Sequence, residues 1–159
     1  MKFAEDTINK LHEVGITIKG CFILGYPGDT EKSFEAIKKF IINNGLDFFD
    51  LASLVPYPGT RLYNYFKNNN MLKTLDYDHY IIESNKLVTN HPLENYPYLF
   101  DRLISHLYNL KNMFIRFKNN HLSKKKIYVI FYIFFINIIN YFSVKIYRNR
   151  YAKKKHAIK

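Results

Sequence analysis

Apolar residues in the first 67 positions change between helical and strand-like spacing. Helical spacing is seen at Phe3, Thr7, Ile8, Leu11 and Val14. This spacing predicts a helix over residues 3–14, and Gly15 is typical of the residue that ends a helix. Residues 16–25 follow as a near-continuous apolar run, which is typical of a strand buried on both faces of a parallel sheet.

A Pro/Gly turn at residues 25–28 separates this strand from a second predicted helix. Apolar side chains three and four positions apart predict that the helix runs from Glu31 to Asn43. Asp29 or Thr30 can cap its first turn, because both residue types accept hydrogen bonds from the free N–H groups there. The acidic residue at the start of the helix adds a favourable charge.

A second strand and a third helix complete this part of the chain. Residues 46–55 are predicted as the strand, which ends at prolines that cannot donate to a sheet. Thr60 can cap a helix over residues 61–67. The order helix, strand, helix, strand, helix predicts a parallel α/β sheet with a right-handed crossover. Two strands neither close a barrel nor make a stable open sheet, so residues 1–67 are interpreted as part of a larger domain.

The rest of the chain divides into two further regions. Residues 68–97 are polar, aromatic and weakly periodic, and we expect irregular structure or short helices there. Apolar residues at spacings of three and four predict a helix over residues 99–117. The predicted organisation is an α/β part over residues 1–67, a mixed helical extension over 68–121 and a basic, apolar tail over 122–159.

Charge is distributed unevenly along the 159 residues. All thirteen acidic residues lie at or before Asp101, where there are ten basic residues, so residues 1–101 carry a formal charge of −3. Residues 102–159 hold fourteen Lys and Arg and no acidic residue, which gives +14. Such an asymmetry indicates an anionic partner, which a membrane surface or a nucleic acid would provide.

Residues 127–144 form an almost wholly apolar segment with basic residues on both sides. As a helix it would be about 27 Å long at 1.5 Å per residue, just short of the ~30 Å hydrocarbon core of a bilayer. Asn137 and Asn140 would share one face, which suits an interfacial helix or a stripe in contact with another helix, and the basic residues on both sides suit a helix lying on anionic lipid headgroups. The alternatives are a helix packed on other protein or a β-rich, aggregation-prone segment. Nucleic-acid binding is the least favoured of these interpretations, because the apolar run is almost unbroken.

Candidate metal ligands and nucleophiles are few. Cys21 is the single cysteine and lies in an apolar run, so we expect a buried thiol that makes no disulfide and holds no cluster or zinc ion alone. The six histidines lack metal-ligand spacing and are expected at the surface or partly packed. We therefore predict no catalytic residue and no metal site. The charged first ten residues lack a secretory signal, and we expect a cytoplasmic protein with a membrane-associating tail.

Two short motifs, one α/β unit apart, carry the strongest functional signal. The first is Cys-Phe-Ile-Leu-Gly-Tyr-Pro-Gly-Asp-Thr at residues 21–30, and the second is Val-Pro-Tyr-Pro-Gly-Thr at residues 55–60. Each apolar run ends at a Pro/Gly turn and continues in a residue able to cap a helix. This pairing resembles the C-terminal half of a radical S-adenosylmethionine (radical SAM) barrel, of the type that also carries a cobalamin-binding domain.

The resemblance implies a binding role for the two strand ends. It places Ile23, Leu24 and Gly25 beside the adenine of S-adenosylmethionine, with Gly28 and Asp29 in the following turn. Glycine suits this position because it lets the backbone approach a ligand closely. The family usually has Glu where this chain has Asp29, which is a conservative difference. At the second strand end, Tyr57 and Thr60 are implied as substrate or ribose contacts.

The resemblance also implies cofactors that this chain cannot hold by itself. Radical SAM proteins bind a [4Fe–4S] cluster through Cys-x3-Cys-x2-Cys, and this chain has one cysteine.

The expected fold is an incomplete (β/α) barrel with two parallel strands, followed by an α-helical tail. The expected function is a C-terminal part of a methyltransferase- or cyclase-type enzyme, with S-adenosylmethionine, the cluster and cobalamin as family cofactors. Its expected partner is the N-terminal half of the barrel. The alternative is a non-catalytic remnant or adaptor that acts through the basic tail on a membrane.

Overall fold

The computed structural model describes residues 2–73, 89–91, 93, 95–120, 131, 135–139 and 141–142. The helices and strands follow the chain in the order α1 (Lys2–Glu13), β1 (Lys19–Leu24), α2 (Glu31–Asn43), β2 (Phe48–Ser53), α3 (Arg61–Asn68), α4 (Tyr96–Leu107) and α5 (Leu110–Lys118). The predicted alternation of helices and strands is therefore confirmed. The described residues contain a sheet of two strands, and closure into a barrel stays a prediction.

Interleaved segments of the chain form two compact units. The first unit combines Met1–Gly20, Lys38–Phe49 and Leu103–Lys159, and the second combines Cys21–Ile37 and Asp50–Arg102. Buried apolar residues of the first unit include Ile8, Ile41, Leu46, Phe49, Leu103, Leu107 and Met113. Those of the second unit include Leu24, Phe34, Leu54, Tyr63, Phe66, Tyr96, Leu99 and Phe100. The domain boundaries predicted from the sequence stay predictions.

Strands β1 and β2 are parallel neighbours. The N–H of Phe48 donates to the carbonyl of Ile18 at 3.2 Å, and the N–H of Leu54 donates to the carbonyl of Leu24 at 2.7 Å. Both bonds join residues 30 positions apart, so the two strands run in the same direction with a constant register. In this register the odd-numbered residues of β1 and the even-numbered residues of β2 share one face of the sheet.

One face of this sheet is open, which corrects two expectations from the sequence. Lys19, Cys21 and Ile23 of β1 are exposed, as is Asp50 of β2. The predicted burial of the strand on both faces is therefore wrong, and so is the predicted burial of the Cys21 thiol. Burial alternates along β1 because the described elements cover only the face that carries Leu24. We call the exposed side, with these four residues, the open face.

Helix α1 forms where the sequence predicts it, but it turns a different side inward. Phe3 and Val14 belong to the predicted apolar stripe and are exposed, whereas Ile8 and His12 are buried. The expectation of a surface or partly packed histidine is therefore wrong for His12. Its ring is held in the first unit by the carboxylate of Asp47, with 2.9 Å between Nε2 and Oδ2.

The other helices agree with the sequence in part. Helix α2 has the predicted bounds, although the carboxylate of Asp29 is used in the preceding turn rather than as its cap. Thr60 caps α3 as predicted and accepts from the N–H of Tyr63 at 3.1 Å. The single helix predicted over residues 99–117 is instead two helices. Extended backbone at Asn109 separates the two helices. The side-chain oxygen of Asn109 caps α5 by accepting from the N–H of Lys111 at 2.9 Å.

The C-terminal tail is described only in part. Residues 131, 135–139 and 141–142 are helical, and most of the predicted apolar helix over residues 127–144 lies outside the described residues. Within the part of the chain that is described, no helix is both long and apolar enough to cross a membrane.

Candidate functional site

The first motif forms a turn at the carboxyl end of β1, in the second unit. Gly25 has φ +103°, a conformation that glycine adopts without strain. The carboxylate of Asp29 accepts from the N–H of Gly25 at 2.8 Å and from the N–H of Tyr26 at 3.0 Å. The N–H of Asp29 donates back to the carbonyl of Tyr26 at 2.9 Å. Asp29 therefore fixes the shape of this turn by satisfying its backbone donors.

A buried tyrosine joins the ends of the two strands in the same unit. The Tyr96 hydroxyl donates to the carbonyl of Leu24 at 3.3 Å and lies 2.9 Å from the hydroxyl of Ser53, at the end of β2. Because its one proton goes to the carbonyl, Tyr96 accepts from Ser53. Burial raises the pKa of Tyr96 to about 12, and the nearby Asp29 carboxylate acts in the same direction.

Aromatic contacts hold the Tyr96 ring in place. Phe34 meets it edge-on with ring centres 5.6 Å apart, and Phe100 lies 5.8 Å away. The ring of His91 is 5.7 Å from that of Tyr96. His91 donates from Nε2 to the carbonyl of Tyr26 at 2.7 Å and accepts at Nδ1 from the N–H of Leu93 at 3.1 Å. The turn after β1 is thus held by hydrogen bonds to the Asp29 carboxylate and by a hydrogen bond from the His91 ring.

The predicted nucleoside contacts separate into two groups in this turn. Ile23 lies on the open face with an exposed side chain, and a side chain added at Gly28 would meet nothing within 4 Å. Leu24 is buried, and its carbonyl already accepts two hydrogen bonds. The N–H of Gly25 and the carboxylate of Asp29 bind each other. Contact with a nucleoside stays a prediction for all five residues. The geometry favours such a contact at Ile23 and Gly28.

The predicted substrate contacts lie at the end of the second strand. The hydroxyl of Thr60 donates to the carbonyl of Tyr57 at 2.7 Å while it caps α3, so its polar atom has a structural use. The side chain of Tyr57 is exposed. A substrate role for these two residues stays a prediction, and Tyr57 has the more accessible side chain.

Tyr96, Ser53 and His91 shape this site and were not among the predicted residues. No short motif marks them, because they act over separations of 43, 65 and 72 residues. Interactions at that separation depend on the tertiary fold. The one indication of Tyr96 in the sequence is an aromatic stretch before the helix predicted over residues 99–117. Nothing in that stretch distinguishes Tyr96 from the other tyrosines.

A second polar cluster lies in the first unit, around the carboxylate of Asp47. Besides His12, the N–H of Ile18 donates to its Oδ2 at 2.6 Å, and the amide of Asn120 donates to its Oδ1 at 2.7 Å. Asp47 and His12 are almost completely buried. The same Asn120 amide donates to the carbonyl of Gly45 at 2.8 Å. One buried carboxylate therefore joins α1, the start of β1 and the end of α5.

Arg116 extends this cluster. Its guanidinium donates to the side-chain oxygen of Asn137 and stacks over the ring of Phe49, 5.0 Å from the ring centre. The Asn137 amide donates to the carbonyl of Asp47 at 3.3 Å. Burial lowers the pKa of Arg116 to about 10, an effect that the nearby Tyr108 and Asp47 oppose.

A partly open cavity lies beside these polar side chains in the first unit. Its space of about 270 Å³ is partly open solvent, and its lining includes Asp47, Met113, Arg116 and Asn137. Within the described chain, Arg116 Nη1 and His12 Nδ1 have no hydrogen-bond partner. The described residues contain no group of three His, Cys, Asp or Glu side chains placed to hold a metal ion. The cluster is therefore interpreted as a structural polar core, with no assigned chemistry.

Two methyltransferases and a tRNA-modifying enzyme are similar to parts of this chain. Bacteriochlorophyllide d C-12(1)-methyltransferase of Chlorobaculum tepidum is 36% identical over 97 residues, which is 58% of this chain and 21% of that protein. An uncharacterised methyltransferase of Pyrococcus horikoshii is 35% identical over 75 residues, 47% of this chain and 16% of that protein. The tRNA-2-methylthio-N(6)-dimethylallyladenosine synthase of Pseudomonas savastanoi is 46% identical over 46 residues, 29% of this chain and 10% of that protein.

These matches are partial in both directions. The chain spans about a fifth or less of the length of the relatives named above. No family model matches the chain, and no solved structure matches it. The relatives agree with the resemblance to part of a radical SAM protein.

The substitution Tyr96→Phe should make stability less sensitive to alkaline pH. In the unfolded chain Tyr96 ionises near its ordinary pKa of 10, whereas in the folded chain the pKa is about 12. The stabilisation is thus complete below pH 10 and is lost as pH rises towards 12. Between pH 9 and 11 we expect the wild type to lose about 1 kcal/mol more than the variant. Urea unfolding at each pH measures this difference, and equal losses would contradict the assignment.

The substitution Asp47→Ala should destabilise the fold by about 3 kcal/mol or more, because one buried and two partly buried donors lose their acceptor. Asp6 lies exposed on α1 and provides the matched control. We expect Asp6→Ala to change the free energy of unfolding by no more than about 0.5 kcal/mol. Chemical denaturation followed by circular dichroism measures both variants, and equal effects would show that Asp47 has no special role.

Proposed function

We propose that this chain is the C-terminal part of a radical SAM protein that transfers methyl or methylthio groups. In this proposal it supplies the wall of the S-adenosylmethionine pocket that lies beside the adenine. The observation that carries the proposal is the Gly25 turn at the carboxyl end of β1, with the open face of a parallel sheet leading to it. In open and closed parallel sheets alike, ligands bind at the carboxyl ends of the strands.

The open face supports the idea that the chain is one part of a larger barrel. In a closed parallel barrel the helices cover the outside, and one face of each strand points into the barrel. The described elements cover the face with Leu24 and leave the face with Cys21 and Ile23 exposed. The open face then corresponds to the inner wall. The remaining strands would come from a segment or polypeptide outside this sequence, which is the proposed partner.

Within that wall the residues divide between contact and support. Ile23 would pack against the adenine, and the backbone at Gly28 would approach the nucleoside, because both are accessible. Leu24, Gly25 and Asp29 would hold the strand end and its turn in shape. Tyr57 is the proposed substrate contact at the neighbouring strand end. S-adenosylmethionine supplies an activated methyl group when it is bound.

The [4Fe–4S] cluster of this family does not fit the residues of this chain. Such clusters are held by several cysteine thiolates, and the chain has Cys21 alone. No step of a reaction is therefore assigned to this chain, and any cluster would be held by the proposed partner. The proposal does not extend to cobalamin, because nothing in the described residues distinguishes a site for it.

Two isoleucines allow a matched test of the proposed nucleoside wall. Ile23 is 52% exposed near the carboxyl end of β1, and Ile16 is 48% exposed and precedes that strand. Saturation-transfer NMR with S-adenosylmethionine in millimolar excess should detect weak binding to the full chain. Ile23→Asp should reduce the adenine signal strongly, because a carboxylate replaces the apolar contact. Ile16→Asp should leave the signal unchanged.

Two results would contradict the proposal. One is the absence of any adenine signal with the wild-type chain, and the other is an equal loss of signal in both variants. Circular dichroism spectra identical to wild type would show that each variant is folded. Replacement of S-adenosylmethionine by adenosine should preserve the signal, because the proposed contacts are to the nucleoside.

A further inference from the structure

The helical segment near the C terminus buries a polar side chain. Asn137 is buried in the first unit, where it binds Arg116 and the carbonyl of Asp47. Among its described residues, Ile136, Ile138 and Tyr141 are half-buried, and four large apolar side chains are exposed. The exposed residues are Phe131, Phe135, Ile139 and Phe142, and we call them the outer row.

In the sequence, the spacing of the outer row is that of one helical face. Positions 131, 135, 139 and 142 are separated by four, four and three residues, which is the repeat of one helical stripe. Asn137 lies on the other side of the helix. The Arg116–Asn137 hydrogen bond thus fixes the rotation of the segment and keeps the aromatic rings exposed. Isolated exposed apolar residues need no explanation, but four large ones within twelve positions mark a candidate interaction surface.

Helix α5 in the same unit carries a similar row. Leu110, Phe114 and Phe117 are exposed and lie four and three residues apart. Met113 and Arg116 on the same helix are buried. Two helices of this unit therefore each present apolar side chains outward, while a charged side chain and an amide join them inside.

Charge identifies the occupant of this surface. Residues 102–159 contain fourteen basic residues and no acidic residue. Lys124, Lys125 and Lys126 precede the outer row in the sequence, and Lys145 and Arg148 follow it. Aromatic side chains with flanking Lys and Arg, and no acids, are the composition of helices that lie in the interface of anionic membranes.

We propose that the outer row docks this chain on an anionic lipid bilayer, with its helix lying in the plane of the interface. The aromatic side chains enter the boundary between headgroups and acyl chains, and the net positive charge of residues 102–159 attracts the chain to anionic headgroups. This surface is independent of the proposed nucleoside wall. A nucleic-acid partner is disfavoured, because bases stack on aromatic rings that alternate with basic residues along a groove, whereas this row is aliphatic and aromatic throughout.

Tryptophan fluorescence gives a direct test, because the chain contains no tryptophan. Phe135→Trp places a single reporter in the outer row, and Phe3→Trp places one at an 85% exposed position of α1 as the control. Phosphatidylcholine vesicles that contain phosphatidylglycerol should shift the emission of the first variant to shorter wavelength. The control should not shift. Vesicles of pure phosphatidylcholine should give a weaker response, and added salt should reduce the response to anionic vesicles.

Cosedimentation with the same vesicles tests the contribution of the aromatic side chains. The double variant Phe135→Asp/Phe142→Asp should bind the vesicles at least about tenfold more weakly than the wild type, because two apolar contacts are lost. Phe3→Asp should bind as the wild type does. Absence of an emission shift, or binding that is unchanged in the double variant, would overturn the proposal. A shift that depends on protein concentration without vesicles would also overturn it, since the row would then join two copies of the chain.

Discussion

The carboxylate of Asp47 is the constraint on which the first unit depends. A buried charge is tolerated only when its oxygens are fully hydrogen-bonded, and Asp47 accepts from the side chains of His12 and Asn120 and from the backbone of Ile18. These donors come from three different elements of the chain. Their positions are therefore fixed by one acceptor. This explains why α1 buries His12 together with Ile8, because the side of the helix that meets Asp47 has to carry the histidine.

The second unit depends on a hydroxyl rather than a charge. Tyr96 joins the last carbonyl of β1 to the last side chain of β2, and Asp29 satisfies the turn that follows. The carboxyl ends of both strands are thus held without a contribution from the open face. On that face the side chains of Cys21 and Ile23 are exposed, and we propose that they contact a ligand or further strands. The proposed nucleoside wall needs this combination of a supported strand end and an accessible surface, of which Ile23 is the clearest part.

The sequence predicted local structure well and long-range contacts poorly. Helix α2 and the Thr60 cap follow from spacing and from turn chemistry, which are local properties. The break at Asn109 was missed because the apolar repeat continues across it, while the cap that causes it is a single side chain. Burial of His12 and the role of Tyr96 depend on partners tens of residues away. The strand over Cys21 has the composition of a doubly buried strand, but the described chain covers only one side of it.

That difference at Cys21 bears most directly on the central claim, which is that the open face of β1 and β2 is an accessible inner wall. Alkylation of the single cysteine by N-ethylmaleimide, followed by mass spectrometry, measures this accessibility in the full native chain. The open face predicts that the native protein reacts at a rate close to that of the same chain in denaturant. A native thiol that reacts only after unfolding would show that the face is covered, and would contradict the assignment of an open wall.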